Sequence, residues 1–224
     1  MSIAEQLARA KADLEAVYAA GKAAGGGGGV DYFQWVTKVE GLFIRAAFPE
    51  NLTNVTLTIP NCLTSLTEMI RQTTGLTKLT LDIPTDQSYK ATYFAYRNTD
   101  IEEIAFPEGI KLTSLTNFVS QASALVKISG AMDLSESTDN ATGFTSCPAL
   151  VNVEFVPGSI TKSISFNASA NLSNTSIDSI IAGLANLTGQ TTQTLTVPAS
   201  IVSKFRECGL TENYQKTINW TLGS

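Results

Sequence analysis

LTNVTLTI (52–59) and LTKLTLDI (76–83) are one pattern written twice: Leu52, Val55, Leu57 and Ile59 of the first fall, position for position, on Leu76, Leu79, Leu81 and Ile83 of the second. The pattern continues as IEEIAF (101–106), with Ile101, Ile104 and Phe106, then LVKIS (125–129), with Leu125 and Ile128, then LVNVEF (150–155), with Leu150, Val153 and Phe155. The copies start at positions 52, 76, 101, 125 and 150, an almost constant period of about two dozen. A second apolar marker stands shortly ahead of each later start, at Met69, Phe94, Phe118 and Phe144.

A fixed period of this length marks an array of structural units. Alternation inside each LxxLxL segment predicts one short strand with its leucine-type residues turned inward, and the Phe or Met closes the opposite side. A single unit cannot bury such a face; neighbours stacked on it can. The expected fold is therefore an α/β repeat, a leucine-rich-repeat solenoid of short parallel strands with an N-terminal helix and an α/β C-terminal cap. Its expected divisions are a helix over 1–24, a glycine linker over 25–30, the solenoid over 31–166 and the capping region over 167–224.

The cap is read from a change of pattern. SISF (163–166) adds a strand, and NLSNTSIDSIIAGLANL (171–187) reads as a helix with Ile177, Ile180, Ile181, Leu184 and Leu187 on one face and Ser173 or Thr175 as its N-cap. TQTLTVP (192–198) alternates as a strand, PASIVSKFRECG (198–209) opens a second short helix at Pro198, and INWTL (218–222) is a last strand.

At the front, Ile3, Leu7, Ala10, Leu14 and Val17 recur at an average period near 3.5, the spacing of a coiled-coil seam. Glu5 with Arg9 and Lys11 with Glu15 lie at i, i+4 spacing, the second pair in the less favourable order. A lone helix of this length is marginal in water, so the seam is expected to oligomerise or to anchor the chain on another protein, the alternative being that it folds back on its own repeats. Gly25 to Gly29 end the helix and act as a hinge or tether. No Gly-Lys-Ser/Thr follows them, which excludes a phosphate-binding loop.

Composition narrows the function. The chain of 224 residues is 43% hydrophobic and 16% charged, enough to bury a core. Its net charge of −5 and lack of a basic cluster argue against nucleic acid. The start MSIAEQLARA is not a basic stretch followed by an apolar run, and no run reaches the roughly 18 apolar residues of a membrane span, so neither a secretory signal nor membrane insertion is expected. Cys62, Cys147 and Cys208 are too widely spaced for a disulfide framework or a zinc site and are expected to be small buried hydrophobes. The Asn-x-Ser/Thr triplets at Asn51, Asn54, Asn140, Asn167, Asn171, Asn186 and Asn219 are read as by-products of an Asn- and Thr-rich sequence.

Histidine is absent from the sequence, which removes the commonest general base and the favoured zinc ligand. Glu102, Glu103, Asp82 and Glu154 read as a solvated strand face rather than as paired carboxylates for sugar hydrolysis. No catalytic residue, metal or cofactor is expected. Repeat solenoids bind through extended surfaces, and the positions between the core leucines are the candidates: Thr56, Lys78, Thr80, Asp82, Glu103, Lys127, Asn152 and Glu154.

These repeats, FTSCPALVNVEF (144–155) most clearly, resemble the BspA-type leucine-rich repeats of bacterial surface and phage proteins. DLEAVYAAGKAAG (13–25), NLSNTSIDSIIAGLANLTGQTTQTLTV (171–197) and INWTL resemble leucine-rich-repeat proteins encoded among tail and structural genes of bacteriophages and prophages. Relatives of that kind continue the AGK segment with an acidic and aromatic stretch, where here the glycines intervene before DYFQW (31–35). The resemblance implies a non-enzymatic virion protein assembled in the bacterial cytoplasm, a fibre or decoration that is a homo-oligomer, a trimer by preference, bound to other virion proteins and touching host-surface carbohydrate or protein. The alternative is a bacterial surface adhesin or protein-recognition module, for which an export signal or wall anchor is expected. An enzyme acting on cell-wall glycans is disfavoured by the missing histidine.

Overall fold

The computed structural model describes residues 36–40, 43–46, 53–59 and 64–224, so the seam residues Ile3, Leu7, Ala10, Leu14 and Val17, and the glycine linker, lie outside the described residues. The chain is α/β, with several short parallel strands in sheets. Strands β1 (Val36–Glu40) and β2 (Phe43–Ala46) pair with each other antiparallel. Four strands follow as one parallel sheet in the order β3 (Asn54–Thr58), β4 (Lys78–Asp82), β6 (Glu103–Ala105) and β8 (Lys127–Ser129).

The register of this sheet reproduces the spacing seen in the sequence. Val55 pairs with Leu79, Leu79 with Ile104 and Ile104 with Ile128, so each residue faces its counterpart in the next copy of the pattern. A single bridge from Lys127 to Asn152 carries the row one segment further. Val55, Leu57, Leu79, Leu81, Ile104, Ile128 and Val153 are all buried, as the alternation requires.

A second parallel sheet adds to the one strand per copy expected from the pattern. It is formed by β5 (Ser88–Lys90), β7 (Ile110–Ser114) and β9 (Met132–Asp133). Each of these strands turns one or two apolar residues inward, Tyr89, then Ile110 and Leu112, then Met132. β5 and β9 are three and two residues long, too short to show alternation, and the alternation of β7 alone makes no repeat.

The predicted markers lie in the same buried core. Met69, Phe94, Phe118 and Phe144 are fully buried, and the aromatic series extends to Phe166. Ring centroids are 5.4 Å apart from Phe94 to Phe118, 5.8 Å from Phe118 to Phe144 and 4.9 Å from Phe144 to Phe166, with Phe106 and Phe155 packed alongside. These separations fall in the favourable range for offset-stacked and edge-to-face aromatic pairs.

The turns around these rings are joined by backbone hydrogen bonds rather than by strands. Ile70 N–H donates to the Phe94 carbonyl, Ala95 N–H to Phe118 and Val119 N–H to Gly143. Left-handed backbone recurs here at Gln72, Arg97, Gln121 and Ser146, with the same period as the strands. That conformation costs a residue with a side chain about 1–2 kcal/mol, which the bonds to neighbouring segments offset.

The C-terminal region closes the first sheet with a helix. Ser173 is the N-cap of α1 (Asn174–Gly183), its Oγ accepting from Ser176 N–H, and Ile177, Ile180, Ile181, Leu184 and Leu187 are buried as the face pattern predicts. Where the carbonyls of a further strand would stand, two α1 hydroxyls stand instead: Ser176 Oγ accepts from Val153 N–H and Ser179 Oγ from Phe155 N–H, each at 2.9 Å. An exposed sheet edge templates association with other chains, and this edge is closed by side chains. Replacing both serines with alanine strands two backbone donors, one of them buried, and is expected to lower stability by about 2–4 kcal/mol in urea titration, with one serine alone costing about half.

A third parallel sheet runs β10 (Ile164–Ser165), β11 (Gln193–Thr196) and β12 (Trp220–Gly223), joining residues on both sides of the expected 166/167 boundary. Pro198 precedes a 3-10 turn, Ala199–Ile201, that leads into α2 (Val202–Glu207). One further helix, α3 (Glu212–Ile218), takes Ile218 out of the expected final strand. Its Gln215 Oε1 accepts from Leu222 N–H at 2.9 Å, so β12 also has a side chain on its outer edge.

Candidate binding surface

The positions expected to form a surface all follow strand alternation, each beside a buried neighbour. Lys78, Glu103, Lys127 and Asn152 fall into one cross-strand row. Thr56 and Thr80 form the next row, continued by Ala105 and Ser129, and Asp82 pairs with Thr58 in a third. Glu154 lies just beyond Asn152, half-buried, in a segment that carries only bridges.

The charged row is partly neutralised from within. Lys78 Nζ is 2.8 Å from Glu103 Oε2 and Lys127 Nζ is 3.4 Å from Glu103 Oε1, so one carboxylate holds two ammonium groups. Asn152 Oδ1 accepts from Ser173 Oγ at 3.0 Å, which ties the end of the row to the helix cap. What remains is a polar face of amides, hydroxyls and paired charges, suited to hydrogen bonding with a surface. Glu103 is committed to its lysines.

The hydrogen bond from Lys78, reinforced by Lys127 and opposed by partial burial, lowers the Glu103 pKa from its ordinary value of 4.5. A carboxyl whose pKa is lower folded than unfolded stabilises the fold above its unfolded value, and the contribution is lost as pH falls through the folded value. Glu103→Gln is therefore expected to cost about 0.5–1 kcal/mol at pH 7, the solvent-screened magnitude of a surface pair, and less at pH 3. Urea titrations of both proteins at the two pH values test it.

Both described cysteines are held towards the thiol form. Cys147 Sγ donates to the Val119 carbonyl at 3.2 Å, and burial pushes its pKa to about 12. Cys208 is half-buried, and partial desolvation raises its pKa too. Cys62 lies outside the described residues.

No family model matches this chain, and no curated protein or solved structure matches it at a significant level. Among the described residues no group of three or more Cys, Asp or Glu side chains is placed to hold a metal ion, and no helix is long and apolar enough to cross a membrane.

Another polar cluster carries no mark in the sequence. Arg71, Tyr93, Tyr96, Arg97 and Gln121 meet on the turn segments, away from the strand face. Successive periods put Glu68, Tyr93 and Asn117 at one position of this surface and Gln72, Arg97 and Gln121 at another. Residue type changes at each step, so no pattern marks them, although the repeat period alone would have brought them together.

Proposed function

We propose that this chain is a non-enzymatic structural protein of a bacteriophage virion, a fibre or decoration protein. Its N-terminal helix anchors or trimerises it, and a leucine-rich-repeat solenoid is displayed towards the host surface. The observation that carries the solenoid reading is the parallel register itself, in which equivalent positions of successive copies pair from Val55 through Ile128. The phage reading rests on the resemblance of both ends of the chain to proteins of phage structural gene clusters. The seam formed by Ile3, Leu7, Ala10, Leu14 and Val17 supplies the means of association. The strand face, in which one carboxylate holds two ammonium groups, is compatible with reversible contact to host carbohydrate or protein, since it offers many hydrogen-bonding groups.

Light scattering of the full chain and of a version lacking residues 1–29 tests the reading. A trimer that becomes a monomer on truncation is the expected result. Monomers in both cases overturn self-association and leave anchoring to another virion protein, which a pull-down with purified virion proteins then decides.

A further inference from the structure

We propose that Arg97, with Tyr93, Tyr96 and Gln121 around it, forms a binding site for an acidic saccharide, whose carboxylate is taken by the Arg97 guanidinium. This inference stands apart from the virion reading and holds whether or not the chain belongs to a particle.

Arg97 is exposed, yet its side chain is held on two sides. Its Nε donates to Gln121 Oε1 at 3.1 Å, and its guanidinium carbon lies 5.0 Å from the Tyr96 ring centroid. Gln121 is itself tied to the same ring, its Nε2 donating to the Tyr96 hydroxyl at 3.4 Å. The outer nitrogens of the guanidinium are then a fixed fork, the geometry that receives a carboxylate through two parallel hydrogen bonds. No carboxylate among the described residues lies within ion-pair distance of Arg97. The neighbouring Arg71, whose guanidinium carbon is 5.4 Å from the Tyr93 centroid and 5.5 Å from that of Tyr96, is paired with Glu68 instead. The cluster therefore carries a cation left unneutralised within a chain of net charge −5.

The backbone beneath the cluster is fixed as well. Tyr93 N–H donates to the Thr116 carbonyl at 2.9 Å, Arg97 N–H to Ser120 at 3.0 Å and Gln121 N–H to Thr145 at 3.0 Å. A site held in this way loses little conformational freedom on binding, which favours affinity.

The surroundings select the class of ligand. Tyr93 and Tyr96 pack edge to face at 5.3 Å and remain partly exposed, offering an apolar border to the C–H face of a sugar ring. Gln72, Gln121 and Ser146 are exposed nearby positions whose amides and hydroxyl can donate to and accept from ring hydroxyls. An acidic peptide gains most of its affinity from apolar side chains seated in pockets, and the outward positions at 72, 117, 121 and 146 are all polar.

Calorimetric titration of the full chain with trigalacturonate, a hyaluronan tetrasaccharide and sialyllactose tests the site, with neutral maltotriose and triglutamate as references. The expected result is binding of at least one acidic saccharide, no detectable heat with maltotriose, and triglutamate weaker by about tenfold or more. Arg97→Lys keeps the charge but loses the fork, and is expected to weaken saccharide binding by about tenfold with the melting temperature unchanged. The proposal is overturned if none of the three acidic saccharides binds, if triglutamate or maltotriose binds as well as they do, or if the Arg97→Lys protein binds as tightly as the original.

Discussion

Phe118→Ala is expected to lower the free energy of unfolding by about 3–5 kcal/mol, read as a shift of the urea midpoint with an unchanged slope. The ring is fully buried and lies 5.4 Å from Phe94, 6.0 Å from Phe106 and 5.8 Å from Phe144, so its removal opens a cavity lined by three other aromatic rings. The cost of a cavity depends on how far its walls can collapse, and these walls are poorly placed to do so. Phe94 and Phe118 sit on adjacent segments held by the bond from Ala95 N–H to the Phe118 carbonyl at 2.7 Å, and Val119 N–H binds the next segment at Gly143. Moving one ring inward means breaking these bonds. Phe118→Leu, which keeps most of the volume, is expected to cost less than half as much. Combining Phe118→Ala with Phe144→Ala should depart from additivity by about 0.5–3 kcal/mol, as substitutions of residues in contact do. Strict additivity of that pair would mean that the aromatic series does not act as a connected core.

What the sequence disclosed of this core follows from which residues must be alike. Leu79, Ile104 and Ile128 occupy equivalent places in one sheet, and only a branched apolar side chain fills them, so the pattern repeats and is legible. Phe94, Phe118 and Phe144 are legible for the same reason. The second sheet was hidden because its inward positions pair unlike residues, Tyr89 with Leu112 and Ile110 with Met132. Closure of the first sheet was hidden for another reason. Ser176 and Ser179 look like ordinary helix positions, and only the placement of α1 beside Val153 and Phe155 turns them into acceptors for a sheet edge.

The candidate surfaces divide along the same line. The strand-face residues could be named in advance because alternation puts every second residue outward, and Lys78, Glu103 and Lys127 do meet. Alternation does not tell which outward residues spend their charge on one another. Arg97 and its neighbours lie on turns where left-handed backbone, not a strand, decides which side chains face out. No local sequence signal reports that conformation at Tyr93, Arg97 or Gln121, since none of them is glycine.

Gly130→Ala is expected to cost about 4 kcal/mol or more, or to prevent folding, although one methyl group is added and nothing is removed. Thr80, Ala105 and Ser129 are paired in the first sheet, and Ser88, Lys111 and Asp133 are paired in the second. The connection between the sheets therefore shortens along the chain, from 80–88 to 105–111 to 129–133. The shortest connection holds Gly130 at φ +85°, where an added Cβ would stand 2.1 Å from the Phe106 carbonyl oxygen and 3.2 Å from that of Pro107. Both obstacles are backbone, and Phe106 is fixed by its N–H donating to the Ser129 carbonyl at 2.9 Å, so neither can step aside as a side chain would. Gly109 separates the two contributions. It has nearly the same backbone conformation, φ +74°, with nothing within 4 Å of an added Cβ, so Gly109→Ala carries only the left-handed penalty of about 1–2 kcal/mol. Thermal and urea unfolding of the two variants side by side measures the close approach as the difference between them. Equal losses would show that the short connection has room to spare, and that the need for glycine at 130 is conformational alone.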